Sequence, residues 1–212
     1  MKTLEKNIAE ALLQIKAVKL QPHNPFTWAS GWRSPIYCDN RKTLSYPSVR
    51  NYIKIELTHL IQERYPEVEV IAGVATGAIA QGVLVADELG LPFIYVRSAP
   101  KDHGLENLIE GDLRPRQKVV VIEDLISTGG SSLRAVEAIR NNGSQVLGIF
   151  SIFTYGFPMV EDRFKAAKVK LTTLCNYKAI IQQALTSKYI SEEDYAILED
   201  WHKDPAGWGN KI

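Results

Sequence analysis

The chain has 212 residues, of which 45% are hydrophobic, so it can form one α/β domain with a continuous core, and general disorder is excluded. Its 25 basic and 24 acidic residues give a formal net charge of +1. A nucleic-acid-binding protein usually carries a basic excess, so that class is disfavoured. Any anionic ligand must be bound by local groups rather than attracted by the field of the whole protein.

The two cysteines, Cys38 and Cys175, are far apart in the sequence and lack metal-ligand spacing. This pattern argues against a disulfide scaffold and favours a reducing compartment. Residues 1–18 carry scattered charges and no apolar block, so they predict neither a signal peptide nor a membrane span. We therefore expect a soluble cytoplasmic protein with no membrane or nucleic-acid partner.

The N-terminal part predicts a helix followed by an ordered cap. Apolar residues at helical spacing predict an amphipathic helix at about residues 3–17. Residues 20–45 have no clean period and are rich in aromatic residues, Ser, Asn and Pro, so we expect loops and short strands there. Pro47 then begins a helix that ends at residues 65–66. The aromatic residues of the cap that need burial are Phe26, Trp28, Trp32 and Tyr37.

From residue 68 onward, short β-branched segments alternate with helical ones. This alternation is typical of a mostly parallel sheet covered by helices on both faces, so the predicted fold class is α/β. Ser191 and Asp194 have the spacing of a capping box at the start of the last helix. The predicted strands are 68–75, 92–98, 118–124, 145–155 and 169–175. The predicted helices are 76–90, 131–143, about 158–168, about 177–187 and about 192–203.

Two segments depart from this pattern. Residues 99–117, about 19 in number, are polar and have no helical period. A loop of that length in a compact α/β domain is usually a functional lid or disordered. Near the C-terminus, DWHKDPAGWG (200–209) indicates no chemistry, and we expect a packed, Trp-rich tail there.

The segment VVVIEDLISTGGSS (119–132) combines two carboxylates with an anion-binding loop. Ligands of open α/β sheets bind beyond the carboxyl ends of the strands, which is where Glu123 and Asp124 fall. Residues 127–131 precede a helix, where free backbone N–H groups, hydroxyls and glycines form a phosphate site. Carboxylates suit a ribose diol, so one ligand with ribose and phosphate explains both features. The alternative is an ordinary helix N-cap with solvent-facing acids.

Several other motifs are absent from the sequence. No lysine follows Gly129 and Gly130, so the loop is not a P-loop, and it has no GxGxxG pattern. The 4 histidines do not cluster at metal-ligand spacing, and there is no G-x-S-x-G segment. The sequence therefore predicts neither a nucleoside-triphosphate site nor a zinc site.

The segment 119–132 resembles the phosphoribosyl-diphosphate (PRPP) signature of type I phosphoribosyltransferases, in which an apolar run and two acids precede a Thr/Gly/Ser loop. The resemblance implies that Glu123 and Asp124 hold the ribose hydroxyls and that the loop holds the 5-phosphate. Glu123 is a mild departure, because the family usually has two aspartates. The PRPP-binding residues implied in this segment are Glu123, Asp124, Leu125, Ile126, Ser127, Thr128, Gly129, Gly130 and Ser131.

The segment VRSAPKDHG (96–104) resembles the mobile loop of orotate phosphoribosyltransferases. Arg97, Lys101 and His103 match that loop, whereas Ser98 replaces a second lysine of many relatives. The resemblance implies that the three matching residues bind PRPP and act catalytically. Cationic groups on a long loop can neutralise a departing diphosphate, and loop closure excludes water. The alternative for Lys101 and His103 is an ordinary solvated loop.

The segment FTWASGWRSPIYCDNR (26–41) resembles the hood of the same enzymes. The resemblance implies that Tyr37 contacts orotate and that Ser127 reaches the orotate carboxylate. Ala29 stands where some relatives have a lysine, so that contact is absent. The alternative is structural, with the aromatic residues packing the hood on the core. The residues that match are Ser30, Gly31, Ser34 and Pro35.

The segment GVATGAIA (73–80) follows a strand and opens a helix. Thr76 and Gly77 are therefore placed to present backbone amides to a diphosphate. Some orotate enzymes have a Tyr-Lys pair here, so a second lysine contact is absent from this chain. Tight packing of the strand on the helix explains the glycines equally well.

The resemblance covers about residues 26–132 and implies an orotate phosphoribosyltransferase of de novo UMP biosynthesis, which makes orotidine 5′-phosphate and diphosphate from orotate and PRPP. It implies the type I fold, with a parallel sheet of about five strands and a small N-terminal hood. It also implies Mg²⁺ bound mainly through PRPP and water, with no direct protein ligand, and a homodimer with shared active sites. We expect one domain, 1–212, with the hood mainly at 1–45, the core at about 46–190 and a C-terminal helix at about 191–212.

Two alternatives stay open. The first is a phosphoribosyltransferase for another base, against which the hood and the KDHG loop argue. The second is a non-catalytic, PRPP-sensing regulator, which would usually add a nucleic-acid-binding surface. The chain has neither a basic excess nor a helix-turn-helix ahead of the sheet, and it retains Lys101 and His103.

Overall fold

The computed structural model describes residues 3–28, 31–99 and 108–211, apart from the side chains of 210–211. The chain divides into two compact units. The smaller unit contains Met1–Thr43 and Cys175–Ile212, and the larger contains Leu44–Leu174. Among the helices of the described ranges, none combines the length and the apolar character needed to cross a membrane.

In the smaller unit, two helices pack together and two short antiparallel strand pairs form. Helix α1 (Thr3–Gln14) buries a face of apolar residues and packs against α6 (Tyr177–Thr186). Strand β1 (Val18–Leu20) pairs with β4 (Ile36–Cys38), and β2 (Phe26–Thr27) pairs with β3 (Arg33–Ser34). A 3₁₀ helix at Asn40–Ser45 follows β4.

The C-terminal part of the smaller unit contains α7 (Glu192–Lys203) and a 3₁₀ helix at Trp208–Lys211. Helix α7 begins with the predicted capping box, in which the Asp194 N–H donates to Ser191 Oγ at 3.1 Å and the Ser191 N–H donates to the Asp194 carboxylate at 3.0 Å. Trp201 is completely buried, and its indole N–H donates to the Arg33 carbonyl at 3.2 Å. The expectation of a packed, Trp-rich tail is confirmed.

The prediction that four aromatic residues of the cap are buried is wrong for Tyr37, which is 40% exposed. Strand β4 explains this, because successive side chains point to opposite faces, and Ile36 and Cys38 take the buried one. The Tyr37 ring lies 5.6 Å from that of Phe26. The other three rings, those of Phe26, Trp28 and Trp32, are half-buried.

The larger unit is built on a six-stranded, mainly parallel sheet flanked by helices, which confirms the predicted α/β fold class. The strands of the sheet are β5 (Val70–Val74), β6 (Phe93–Val96), β7 (Ile109–Glu110), β8 (Lys118–Ile126), β9 (Gln145–Thr154) and β10 (Leu171–Asn176). The helices are α2 (Pro47–Arg64), α3 (Ile79–Leu89), α4 (Gly130–Asn141) and α5 (Pro158–Ala166).

The strand order is β10-β9-β8-β5-β6-β7, which places β8 inside the sheet between β5 and β9. Strands β5, β6, β8 and β9 run parallel to their neighbours among these four. The β-branched residues 119–122 of β8 have no exposed surface, as expected for a parallel strand covered on both faces. The carboxyl ends of these strands share one edge of the sheet, which is the ligand-binding edge of such folds.

Strand β7 lies within residues 99–117, where the sequence predicted no strand, and it adds a sixth strand to the expected five. It pairs antiparallel with β6, with Val96 opposite Ile109. Ile109 is buried by this pairing. A strand of two residues is too short to show a period of two in the sequence, so only its pairing with β6 identifies it as a strand.

Several boundaries differ from the prediction, and two of them lie at the candidate ligand-binding end of the sheet. Helix α3 begins at Ile79 rather than at residue 76, because residues 75–78 form a turn. Strand β8 continues to Ile126 rather than ending at Asp124, because its last residues still pair with β9.

Candidate active site

The candidate site is built on the junction between β8 and α4. Strand β8 carries Glu123 and Asp124 near its carboxyl end, and residues 127–129 connect the strand to α4. No side chain caps the first turn of α4, because the N-cap residue is Gly129. The first backbone N–H groups of the helix therefore point into the loop without an intrahelical partner, and the helix dipole favours an anion there.

Gly129 is required by the geometry of this loop. Its φ is +77°, in the left-handed region that favours glycine, and an added Cβ would overlap the Phe164 ring on α5. From the same helix, the Arg163 guanidinium donates to the Thr128 carbonyl at 3.0 Å. Helix α5 thus supports the outer side of the predicted phosphate loop through two residues that sequence reasoning missed.

Glu123 is 4% exposed, and its carboxyl group faces the first turn of α4. The Ser132 hydroxyl donates to Glu123 Oε2 at 2.9 Å, and the Ser131 hydroxyl lies 3.5 Å from the same atom. Burial, followed by the neighbouring charge of Asp124, raises the pKa of Glu123 to about 8. The hydrogen bond from Ser132 acts in the opposite direction, because it stabilises the carboxylate.

Asp124 is half-buried and faces the turn at 75–78. A Cβ added at Gly77 would overlap the Asp124 carboxyl group, so any side chain at this position requires the acid to move. Gly73 makes a different close approach, because a Cβ there would lie 3.0 Å from the Ala78 carbonyl oxygen and from the Phe93 ring. Tight strand–helix packing accounts for Gly73, whereas Gly77 makes room for an acid of the candidate site.

Arg97 directly follows β6 at the same carboxyl edge of the sheet. Its backbone N–H donates to the Leu108 carbonyl at 2.8 Å, and its guanidinium Nη1 lies 3.6 Å from a Glu110 carboxylate oxygen. Within the described ranges, this buried Nη1 has no hydrogen-bond partner, so it retains donor capacity. Lys101 and His103, which are predicted to act with Arg97, lie outside the described residues.

The structure thus brings the predicted residues Glu123 to Ser131 together and places Arg97 at the end of a strand two positions away in the sheet. Tyr37 belongs to the smaller unit, where it is exposed on β4, and Ala29 lies outside the described residues. Sequence reasoning also missed Ser132. Helical periodicity could have identified this residue, because Ser132 lies on the same buried face of α4 as Ala135, Val136 and Ile139.

Within the described ranges, no three His, Cys, Asp or Glu side chains come together in a way that could hold a metal ion. The site instead offers two carboxyl groups, several hydroxyls and free backbone N–H groups. This set of donors and acceptors matches a ligand that carries both hydroxyl groups and a phosphate.

Comparison with known proteins agrees with this geometry. A family model described as "Phosphoribosyl transferase domain" matches residues 49–187. An orotate phosphoribosyltransferase of Bacteroides thetaiotaomicron is 69% identical over 208 residues, which cover 98% of either chain. An orotate phosphoribosyltransferase of Porphyromonas gingivalis is 65% identical, with 99% of this chain and 100% of that protein covered.

A solved structure is also similar. The crystal structure of orotate phosphoribosyltransferase from Aeropyrum pernix has a TM-score of 0.76 and 27% sequence identity, and it covers 87% of this chain and 99% of that one. The resemblance seen in the sequence is therefore confirmed over nearly the whole chain, including the parts beyond residues 26–132. The chain belongs to the phosphoribosyltransferase family and, within it, to the orotate phosphoribosyltransferases.

Proposed function

We propose that this protein catalyses transfer of the 5-phosphoribosyl group from PRPP to orotate, which yields orotidine 5′-phosphate and diphosphate for UMP synthesis. The observation that carries the proposal is the β8–α4 junction, where two carboxyl groups lie directly before an uncapped helix N-terminus. Ribose hydroxyls and a phosphate belong to one molecule in PRPP, so a single substrate satisfies both halves of the junction.

The assignment of the PRPP-binding residues follows the geometry and the family resemblance. The loop at 127–131 surrounds the 5-phosphate, because its backbone N–H groups and hydroxyls are donors and the helix dipole favours the anion. Glu123 and Asp124 accept hydrogen bonds from the ribose hydroxyls. Their positions on one strand end, next to the loop, agree with the short distance between ribose and 5-phosphate in the substrate.

The residues assigned to the departing diphosphate and to the base are supported mainly by the family resemblance. Arg97, Lys101 and His103 act on the diphosphate, and the position of the partly exposed Arg97 directly after β6, at the carboxyl ends of the strands, supports this role. Ser127 reaches the orotate carboxylate, and Tyr37 contacts the base. The exposure of the Tyr37 ring supports this role, because an exposed ring is accessible to a ligand.

The reaction is a substitution at the anomeric carbon. The bond from this carbon to the diphosphate oxygen breaks, a bond to the orotate ring nitrogen forms, and the transition state has oxocarbenium character. The protein therefore acts mainly by positioning two substrates and by stabilising the departing negative charge. Closure of the loop that carries Lys101 excludes water, which competes with orotate for the same carbon.

We also propose that Mg²⁺ accompanies PRPP. The ion keeps several water ligands and favours phosphate oxygens, so it fits a site without a dedicated cage of protein carboxylates. When bound, it neutralises part of the diphosphate charge, and no residue of this chain is assigned as a direct ligand.

Three further expectations remain predictions. They are a homodimer in which each loop reaches the partner's site, a cytoplasmic location inferred from the cysteine pattern, and a single functional domain that includes the hood. The described structure contains Cys38 and Cys175 as buried, free thiols, which supports a reducing compartment. Measurement of the molecular mass in solution tests the dimer.

The function is tested by following orotate through its ultraviolet absorbance in the presence of PRPP and Mg²⁺, beside parallel assays with uracil, adenine and hypoxanthine. We expect rapid loss of orotate and no reaction of the other bases. Reaction with a different base would contradict the assignment of the base site. Tight PRPP binding without turnover of any base would favour the regulator alternative.

A further inference from the structure

The contact between Ser132 and Glu123 joins two parts of the site that have different tasks. Glu123 belongs to the pair of acids on β8, whereas Ser132 lies in the first turn of α4, just after the phosphate loop. The hydroxyl donates to Glu123 Oε2 at 2.9 Å, and the serine has no exposed surface. A direct hydrogen bond therefore spans the loop that connects strand and helix.

A serine at this position requires an explanation, because its neighbours on the buried face of α4 are Ala135, Val136 and Ile139. A hydroxyl among apolar side chains destabilises a helix packing face unless it has a hydrogen-bond partner. Here the partner is a carboxyl group that is itself nearly inaccessible to water. Each of the two polar groups thus satisfies the other.

We propose that Ser132 is a positioning residue that holds the Glu123 carboxyl group in the orientation in which it accepts a ribose hydroxyl of PRPP. This inference rests on the proposed binding of the PRPP ribose by Glu123. The longer side chain of Glu, compared with the family's usual Asp, has more rotamers to restrict, and the bond from α4 restricts them. The same bond also sets the position of the ribose-binding acid relative to the phosphate loop.

The protonation of Glu123 provides a readout that a purely structural serine would not change. Among the described residues, the charged group that acts on Glu123 is Asp124, its neighbour on β8, and the groups that donate toward it from α4 are the hydroxyls of Ser131 and Ser132. The Ser132 hydrogen bond lowers the pKa of Glu123 against the effects of burial and Asp124. Loss of the hydroxyl therefore raises this pKa further, and the carboxylate forms only at higher pH.

The test compares the Ser132→Ala variant with the wild-type enzyme in steady-state assays with PRPP, orotate and Mg²⁺ across a pH series. We expect the KM for PRPP to rise about tenfold near pH 7, with little change in the KM for orotate. We also expect the acidic limb of kcat/KM for PRPP to move to higher pH. Alanine favours helices, so α4 should form normally, and a thermal melt checks this.

The matched control is Ser144→Ala. Ser144 is also buried, but it lies beyond the opposite end of α4, where its hydroxyl donates to the Arg114 carbonyl at 3.0 Å. We expect the wild-type KM for PRPP and the wild-type pH profile in this variant. A second variant, Ser132→Cys, retains the side-chain volume with a weaker donor, and it should shift both quantities in the same direction as alanine.

The outcomes separate this inference from the assignment on which it rests. If both Ser132 variants keep the wild-type KM for PRPP and the wild-type acidic limb while Glu123→Gln weakens PRPP binding, Ser132 does not position Glu123. If Glu123→Gln also leaves PRPP binding unchanged, the assignment of Glu123 to the ribose is wrong, and the inference is lost with it. Higher KM with an unmoved pH profile would also reject it.

Discussion

The β8–α4 junction and the β6–β7 edge lie in the same sheet, yet they are built very differently. Strand β8 lies between two parallel neighbours, and its residues 119–122 have no exposed surface. Strand β7 has only two residues and lies at the edge of the sheet, where it pairs with β6. The Arg97 side chain beside it is 31% exposed. The acids of the junction follow a buried segment of an interior strand, whereas the cation Arg97 lies beside a short and partly exposed edge strand.

Under the proposed function, the two halves of PRPP meet these two kinds of structure. The ribose 5-phosphate does not change during the reaction, so a rigid site can bind it before and after the chemical step. The diphosphate departs, so groups that act on it contribute mainly to the transition state. Variants of the two regions should therefore differ in which kinetic constant they change.

The largest expected effect is that of Lys101→Ala. If Lys101 acts on the departing diphosphate as proposed, removal of its charge should lower kcat by about 10²–10³-fold while PRPP still binds. Turnover and equilibrium PRPP binding are measured on the same preparation. Lys170→Ala removes an exposed lysine of the larger unit and serves as the control. Unchanged kcat in Lys101→Ala would refute the assignment of the loop.

Gly129→Ala should disturb the junction itself. The new Cβ would overlap the Phe164 ring, and the positive φ of residue 129 disfavours alanine. We therefore expect a loss of about 1–3 kcal/mol in the free energy of unfolding. We also expect PRPP binding to weaken by roughly tenfold or more, because the phosphate loop shifts. Gly90→Ala is the control, since Gly90 has a φ of +66° but open space around it. It should lose stability without loss of PRPP affinity.

Arg97→Gln should have a smaller effect at the sheet edge. The variant removes the charge beside Glu110 and a donor for the diphosphate, so we expect a rise of about tenfold in the Kd for free diphosphate. Arg114→Gln is the matched control, because Arg114 also pairs with an acid, Asp112, but is largely exposed. Equal diphosphate affinity in the two variants would show that Arg97 has only a structural role.

A further prediction concerns the pH dependence of stability. Because the pKa of Glu123 is raised to about 8 from 4.5, the folded protein keeps a proton that the unfolded chain releases between these values. Its contribution to stability is fully present below pH 4.5 and is lost as the pH rises through about 8. Urea titrations at several pH values should show this loss in wild type and a flatter profile in Glu123→Gln.

The control for the pH series is Glu137→Gln, which changes an exposed acid on α4. It should retain the wild-type pH dependence. If Glu123→Gln and wild type lose stability in parallel over this range, Glu123 does not hold a proton in the folded protein.

The sequence predicted the junction because its parts are contiguous. A buried β-branched run, two acids and a Gly-rich loop appear in order within residues 119–131, and the carboxyl-end rule for α/β sheets then places them at the ligand-binding edge. The sheet was predictable for the same reason, since each of its longer strands is a contiguous β-branched segment that alternates with helical segments.

Contacts between segments far apart in the sequence were not predictable. The approach of Gly77 to Asp124 depends on β5 and β8 being neighbours in the sheet, and nothing local to either residue shows it. Strand β7 depends on the edge of β6 in the same way. Tyr37 was predicted as buried from its chemical type, but strand alternation in β4 decided its direction.

The most direct test of the central claim is a crystal structure of the protein with PRPP and Mg²⁺. We expect the 5-phosphate oxygens within hydrogen-bond distance of the backbone N–H groups at 128–131, and the ribose hydroxyls on Glu123 and Asp124. The diphosphate should extend toward Arg97. A substrate in the opposite orientation, with its diphosphate in the β8–α4 junction, would contradict the account.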